Sequence, residues 1–467
     1  MLKKTLAILT ALPLFLISAA YGSDNNTISA RIDSIVRNCL PDGTDISVHV
    51  WDLDNDCAVY AHRENVLNRP ASTMKVLTSY TALKSLGRNY NFETQLKTDA
   101  QTDTAGILSG NLYLVGGLDP QLMEGDLWKL VTDLKESGIK RIDGDIIADV
   151  SIMDSIYWGS GWAWDDTPSS FQPYISPLTV HGGYIGIYIA PGTRGAAPKV
   201  QTFPVSNYYT IDNQARTGVS SLGPLSIKRE WLNNSNTIVI RGNCTKSTST
   251  EQNIYDSDDF TFCLFREYLD QSGIEYNGYG WGQCPSQATT LTSVSHTLCG
   301  VMKEALKESV NLDAEAMLLQ SAHRGNSAVS FSEAAKYMDK LLRRDIGECN
   351  GFNIADGSGL SMYDYVPASL FVNVLRLIYK DREMYDIIYG CLPIAGHDGT
   401  LKGRMETGPT AGNIHAKTGT ITGSCTLAGY ARTSEGRNLA FCIMNSSAIK
   451  MAPSRKVQDA ICTILCE

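Results

Sequence analysis

Apolar positions recur at helical spacing from Ile28 to Cys39, where Ile28, Ile32, Ile35 and Val36 share one face and predict a helix. From Asp45 the period changes to two. Ile46, Val48 and Val50 alternate with other positions, and the pattern runs on to Tyr60 past a turn at Asp54-Asn55, predicting strands. A turn-rich link ending in Arg69-Pro70 leads into Ser72 to Leu83, a predicted helix with Gly87 as its stop. Over 92–290 the helical pattern gives way to alternating segments rich in Gly, Asn, Thr and Tyr, such as Gly110 to Val115 and Gly183 to Ile189. Helices are predicted again for Leu298 to Leu319, Ser332 to Leu342 and Pro367 to Tyr379. Gly412 to Asn445 reads as strand-rich, and Pro453 to Leu465 as a closing helix with its proline in the first turn. Elements from both ends can build one α+β domain over 23–91 and 291–467, with 92–290 looping out as a β-rich insertion of one or two small domains.

Composition narrows the class. The chain has 467 residues, 43% hydrophobic and 19% charged, which excludes a disordered, collagen-like or polytopic membrane protein. A net charge of −9 with no basic run argues against nucleic-acid partners. Residues 1–22 have the layout of a secretory signal peptide: Lys3-Lys4, an apolar run from Thr5 to Ala20, and small residues before the cleavage point. No second apolar stretch of spanning length follows, so an exported protein without a membrane span is expected, secreted or periplasmic. The twelve cysteines form no CxxC pair and no Cys/His zinc spacing; both disulfides and buried thiols remain open for them. His49, His181, His323 and His397 stand alone, so neither a metal nor a cofactor is expected. Trp162 and Trp164 read as packing residues rather than a sugar platform.

Three short motifs carry chemistry. In Ser72-Thr73-Met74-Lys75, residues three apart on a helix face the same way, so the amine can serve as base for the hydroxyl. An N-cap serine beside a solvated lysine gives the same letters. Lys417-Thr418-Gly419-Thr420, in a strand-like region, offers an ammonium and a hydroxyl for a substrate carboxylate. Its glycine admits substrate to the backbone, and the Thr420 N–H can point into an oxyanion hole. Ser309-Val310-Asn311 adds a hydroxyl and an amide suited to proton relay and carbonyl binding. Gly357-Ser358-Gly359 is not a GxSxG elbow, which disfavours an α/β-hydrolase. SxxK, SxN and KTG in this order are specific in combination, although each is weak alone.

With these motifs the chain resembles the low-molecular-mass class C penicillin-binding proteins, the D-alanyl-D-alanine carboxypeptidase/endopeptidase group (penicillin-binding protein 4 type). The likeness extends to Gly110 to Leu114 with Gly116-Gly117-Leu118-Asp119-Pro120, where Leu118 stands at a position usually Gly. It includes Gly161 to Asp166 as a WxWDD segment, and Lys307 to Leu312, in which Val310 replaces a polar residue. Asp356 to Ser361 and Gly399-Thr400-Leu401 complete it. The resemblance implies a β-lactamase/transpeptidase-like domain with an antiparallel sheet and helices, and two inserted domains, one nested in the other, between the first and second motifs. It also implies roles. Ser72 would be the acylated nucleophile and Lys75 its base. Ser309 would relay a proton to the leaving D-alanine, and Asn311 would hold the substrate amide. Lys417, Thr418, Gly419 and Thr420 would form the carboxylate and oxyanion side, Lys417 also depressing the Lys75 pKa. The implied partners are peptidoglycan stem peptides and β-lactams. The rival readings are a β-lactamase, which needs a group to activate the deacylating water, and a non-catalytic peptidoglycan- or β-lactam-binding module.

Overall fold

The computed structural model describes residue 25 and residues 27–325, 327–347 and 351–467. The signal peptide read over 1–22, and Cys349, lie outside the described residues. Both ends of the chain build one five-stranded antiparallel sheet in the order His415–Ile421, Gly423–Arg432, Asn438–Ala448, Asp45–Asp52, Cys57–His62. Its central strands are apolar at successive positions because both faces are covered. Leu439, Phe441 and Ile443 face a core shared with Ile32 of the 27–38 helix and Val457, Ile461 and Leu465 of the Met451–Cys466 helix. Ala440, Cys442 and Met444 face the opposite layer, where Met74–Leu86, Asn311–Ala322, Phe331–Ile346 and Ala368–Lys380 pack. The result is three layers, helix on sheet on helix.

Met74–Leu86 is buried on every side from Met74 to Leu83, as expected for a helix at the centre of its layer. It ends at Gly87, whose φ of 80° an L-residue rarely adopts. Phe331–Ile346 starts with a capping box in which Ser330 and Glu333 bond each other's backbone N–H groups.

The middle of the chain has its own core. A mixed sheet runs Glu275–Trp281, Arg141–Asp149, Leu112–Val115, Asn91–Thr98, Thr289–Thr297, with Ile107–Leu108 beside Arg141–Asp149. The region is β-rich, as read, and also holds two α-helices that the pattern did not announce, Glu124–Glu136 and Ser257–Ser272, whose Leu127, Leu130, Phe260 and Leu264 enter that core. The limits set at 92 and 290 also cut through strands: Asn91–Thr98 and Thr289–Thr297 are antiparallel partners, so the chain enters and leaves the insertion along one ladder.

Leu118 explains the glycine usual at its position. Its φ is 57°, in the left-handed region, while its side chain is buried in the core. Neighbouring Asp119 is buried too and meets His296 Nδ1 at 2.8 Å, a structural contact away from the motifs. No helix among the described residues is long and apolar enough to cross a membrane. The described cysteines are all free; Cys462 and Cys466 are both buried in the last helix.

Candidate active site

Three motifs distant in sequence meet where the Met74–Leu86 helix abuts the His415–Ile421 edge strand. Ala71, at φ 47°, turns the chain into a single 3-10 turn, Ala71–Thr73, that presents Ser72 at the helix start. The turn is pinned to the sheet: Thr426 Oγ1 and Thr73 Oγ1 both donate to the Pro70 carbonyl at 2.6 Å, and Ser424 Oγ donates to the Arg69 carbonyl at 2.7 Å. Two glycines allow the approach. A Cβ on Gly419 would come 2.7 Å from the Pro70 carbonyl oxygen, and one on Gly359 would overlap the Ala71 carbonyl. Gly419 therefore also seats the Ser72 turn on the strand, a packing role that the sequence pattern did not announce. At Gly359, φ is also 79°. Gly359→Ala is expected to cost about 2 kcal/mol of stability or more and to slow acylation as the turn shifts. Thermal unfolding and acylation rate, measured together, check this; an unchanged pair would refute the seating.

Lys75 is wholly enclosed. Its Nζ donates to Ser72 Oγ at 2.9 Å, Asn311 Oδ1 at 2.7 Å and the Ser358 carbonyl at 2.9 Å, which uses all three ammonium protons. Burial brings its pKa down to about 8, against the pull of the Asp356, Glu315 and Asp313 carboxylates. These acids belong to a buried group behind the lysine. Glu315 accepts from the N–H groups of Gly357 and Ser358, and burial next to Asp356 pushes its pKa up to about 8. Asp356 accepts from the N–H groups of Gly359 and Ser361 and from Trp162 Nε1 at 2.8 Å. Buried Asp313 and Asp364 are both pushed well up, chiefly by desolvation. The Asp356–Ser361 loop thus acts through its backbone, placing the Ser358 carbonyl on Lys75 Nζ.

The helix predicted from Leu298 to Leu319 is two helices, Leu298–Lys307 and Asn311–Ala322. The break falls on Ser309, at φ 66°, and turns its hydroxyl to Lys417 Nζ at 2.9 Å. Lys307, just before it, is held by Asp398 at 2.6 and 2.8 Å. Asn311 spans the site: Oδ1 accepts from Lys75, and Nδ2 donates to the Phe171 carbonyl at 2.7 Å, from the segment that follows WxWDD. Lys417 is fully buried and also donates to the Thr418 carbonyl at 2.9 Å. Burial and the neighbouring Lys75 push its pKa well below the usual lysine value. For Lys75 itself burial is the largest cause, and the repulsion between the two ammonium groups disfavours charging both together. Thr418 Oγ1 bonds Thr400 Oγ1 at 2.7 Å, so the Gly399–Leu401 turn closes one wall.

Ser72, Ser309, Thr400, Gly403, Arg404, Thr418, Thr420 and Arg455 line a cavity of about 480 Å³. Sequence reasoning missed Glu315, Phe171, Arg404 and Arg455, which belong to no short motif. Trp162 packs as expected, with its indole N–H on Asp356. Trp164 does not; it is 65% exposed, against Trp231.

A Ser–Lys pair opening a helix, with KTG on the adjoining edge of a five-stranded antiparallel sheet, defines a serine acyl-transfer protein of the β-lactamase/transpeptidase-like fold. More narrowly, the chain belongs to the D-Ala-D-Ala carboxypeptidase 3 (S13) family, whose profile matches residues 28–467. It is 27% identical to the D-alanyl-D-alanine carboxypeptidase DacB of Haemophilus influenzae, across 94% of this chain and 93% of that protein. It is 29% identical to the D-alanyl-D-alanine carboxypeptidase of an Actinomadura species, across 96% and 86%. The crystal structure of penicillin binding protein 4 (dacB) from Haemophilus influenzae matches with a TM-score of 0.81 at 25% identity, covering 92% of this chain and 97% of the other.

Proposed function

We propose that the protein is an exported serine D,D-peptidase that removes the terminal D-alanine of peptidoglycan stem peptides, or cleaves their cross-links, through an acyl-enzyme on Ser72. The observation that carries this reading is the 2.9 Å contact between Lys75 Nζ and Ser72 Oγ, with the amine desolvated. Neutral Lys75 takes the Ser72 proton as Oγ attacks the carbonyl of the penultimate D-alanine. The backbone N–H groups of Ser72 and Thr420 receive the oxyanion. The proton that Lys75 has taken passes through the Ser309 hydroxyl, held by Lys417, to the departing amine, which leaves Ser309 protonated and Lys75 neutral. Water then hydrolyses the ester and regenerates Ser72. The substrate amide displaces the Phe171 carbonyl from Asn311 Nδ2, and Lys417, Thr418 and Thr420 face the substrate carboxylate.

A β-lactam enters the same sequence, but its cleaved ring amide stays attached and blocks water. No carboxylate lines the cavity among the described residues, which favours slow deacylation over a β-lactamase. The test is intact mass after incubation with benzylpenicillin, followed by peptide mapping. A one-to-one adduct on the Ser72 peptide that persists is expected. Rapid loss would make the protein a β-lactamase. Folded protein without adduct would leave a binding module.

A further inference from the structure

Arg455, from the first turns of the Met451–Cys466 helix, also lines the cavity, and it makes no ion pair among the described residues. Arg455 Nη2 reaches Thr420 Oγ1 at 3.4 Å, a long contact, and its guanidinium also meets the Cys425 thiol. Neither is an anion trap. The adjacent Arg404, which lines the same cavity, is already engaged by Asp459 at 2.5 Å and Gln458 at 3.1 Å. Of the two arginines, Arg455 keeps most of its five donors for a ligand.

The other cations cannot supply the same charge. Lys75 spends all three protons inside the protein. Lys417 spends two, on Ser309 and Thr418, and is fully buried, so it has one proton left for a ligand. Thr418 and Thr420, two apart, share one face of the strand; Arg455 overhangs Thr420 on that face. A guanidinium stays charged at every working pH and can hold both oxygens of a carboxylate.

From this we infer that Arg455 is a substrate-binding residue that pairs with the α-carboxylate of the residue leaving the scissile amide and selects substrates in which that carboxylate is free. The inference rests on the proposed peptidase reading and names the group that sets its specificity. Substrates are thereby defined as peptides whose leaving D-residue is an acid rather than an amide or ester. The Thr420 and Thr418 hydroxyls sit alongside to donate the remaining hydrogen bonds to the carboxylate.

The experiment compares an N-acylated peptide ending in D-Ala-D-Ala with its C-terminal amide, on the wild type, Arg455→Gln and Arg455→Lys. A lost charge-assisted pair should lower kcat/KM for the acid roughly 10- to 100-fold, mainly through KM, and leave the amide within about twofold. Arg455→Lys should recover part of the loss. Equal losses on acid and amide, or none on either, would overturn the inference. Binding of both peptides to the Ser72→Ala protein, with and without Arg455→Gln, gives the same answer without turnover. Acid-selective binding that Arg455→Gln removes upholds the carboxylate anchor even if the wild type cleaves nothing, in which case the peptidase reading alone fails. Binding that ignores Arg455 overturns the anchor whatever the activity.

Discussion

Ser72→Ala is expected to give a folded protein that releases no D-alanine and carries no benzylpenicillin adduct, a loss of at least about 10⁴-fold. Structure argues for this separation of chemistry from stability. The Ser72 hydroxyl receives one hydrogen bond, from Lys75, which keeps Asn311 Oδ1 and the Ser358 carbonyl when the hydroxyl is gone. The turn itself is held by Thr73, Thr426 and Ser424, none of which touches the Ser72 side chain. The mutant should therefore unfold within a few degrees of the wild type. Intact mass after β-lactam treatment and the assay for released D-alanine read the chemistry. An adduct persisting on the mutant would move the nucleophile elsewhere.

The second large effect is expected at Lys75, the proposed base. Lys75→Met keeps much of the side-chain volume and removes the amine, so acylation should fall by about 10²- to 10⁴-fold. Here stability should drop as well, because Asn311 Oδ1 and the Ser358 carbonyl lose a buried donor, at about 1–3 kcal/mol. The wild type should show the base in its pH profile. Burial lowers the folded pKa to about 8, so the neutral form that accepts the proton grows as pH rises through that value. At pH 7 roughly a tenth of the molecules hold a neutral Lys75, against a few in ten thousand for a solvated lysine. Acylation should climb about tenfold per pH unit below 7 and level off above 9. A rate flat from pH 6 to 9 would remove Lys75 from the role of base.

The motifs were legible because each is a local device: SxxK needs one helical turn, KTG a strand edge, SxN the first turn of a helix. The fit of the insertion's ends to one ladder was not, since strand pairing across 191 positions (Thr98 to Thr289) leaves no local trace. The helical periodicity of Leu298 to Leu319 hid a break, because Ser309 adopts a left-handed φ that its sequence does not announce. Glu124–Glu136 carries Leu127, Leu130, Val131 and Leu134 at helical spacing, a signal masked by the alternating segments around it. Glu315 looked like any charge on a helix. Its function depends on burial against a loop some forty residues on, as Gly357 and Ser358 bring their N–H groups to it. Arg455 was invisible for a similar reason. Nothing near it in sequence says that the last helix leans over the KTG strand.

The five-stranded sheet has a consequence for how the protein is made. Within the sheet, its two N-terminal strands, Asp45–Asp52 and Cys57–His62, pair with the C-terminal strands through Asn438–Ala448. The serine therefore emerges early from the ribosome, while the strand bearing Lys417 and the ladder that joins the two halves come almost last. Until then Asp45–Asp52 has an unpaired edge and Ser72 lacks the strand that carries Lys417. A chain released short of residue 448 would lack a complete sheet, so an incomplete copy cannot bring Lys417 to Ser72 in the native arrangement.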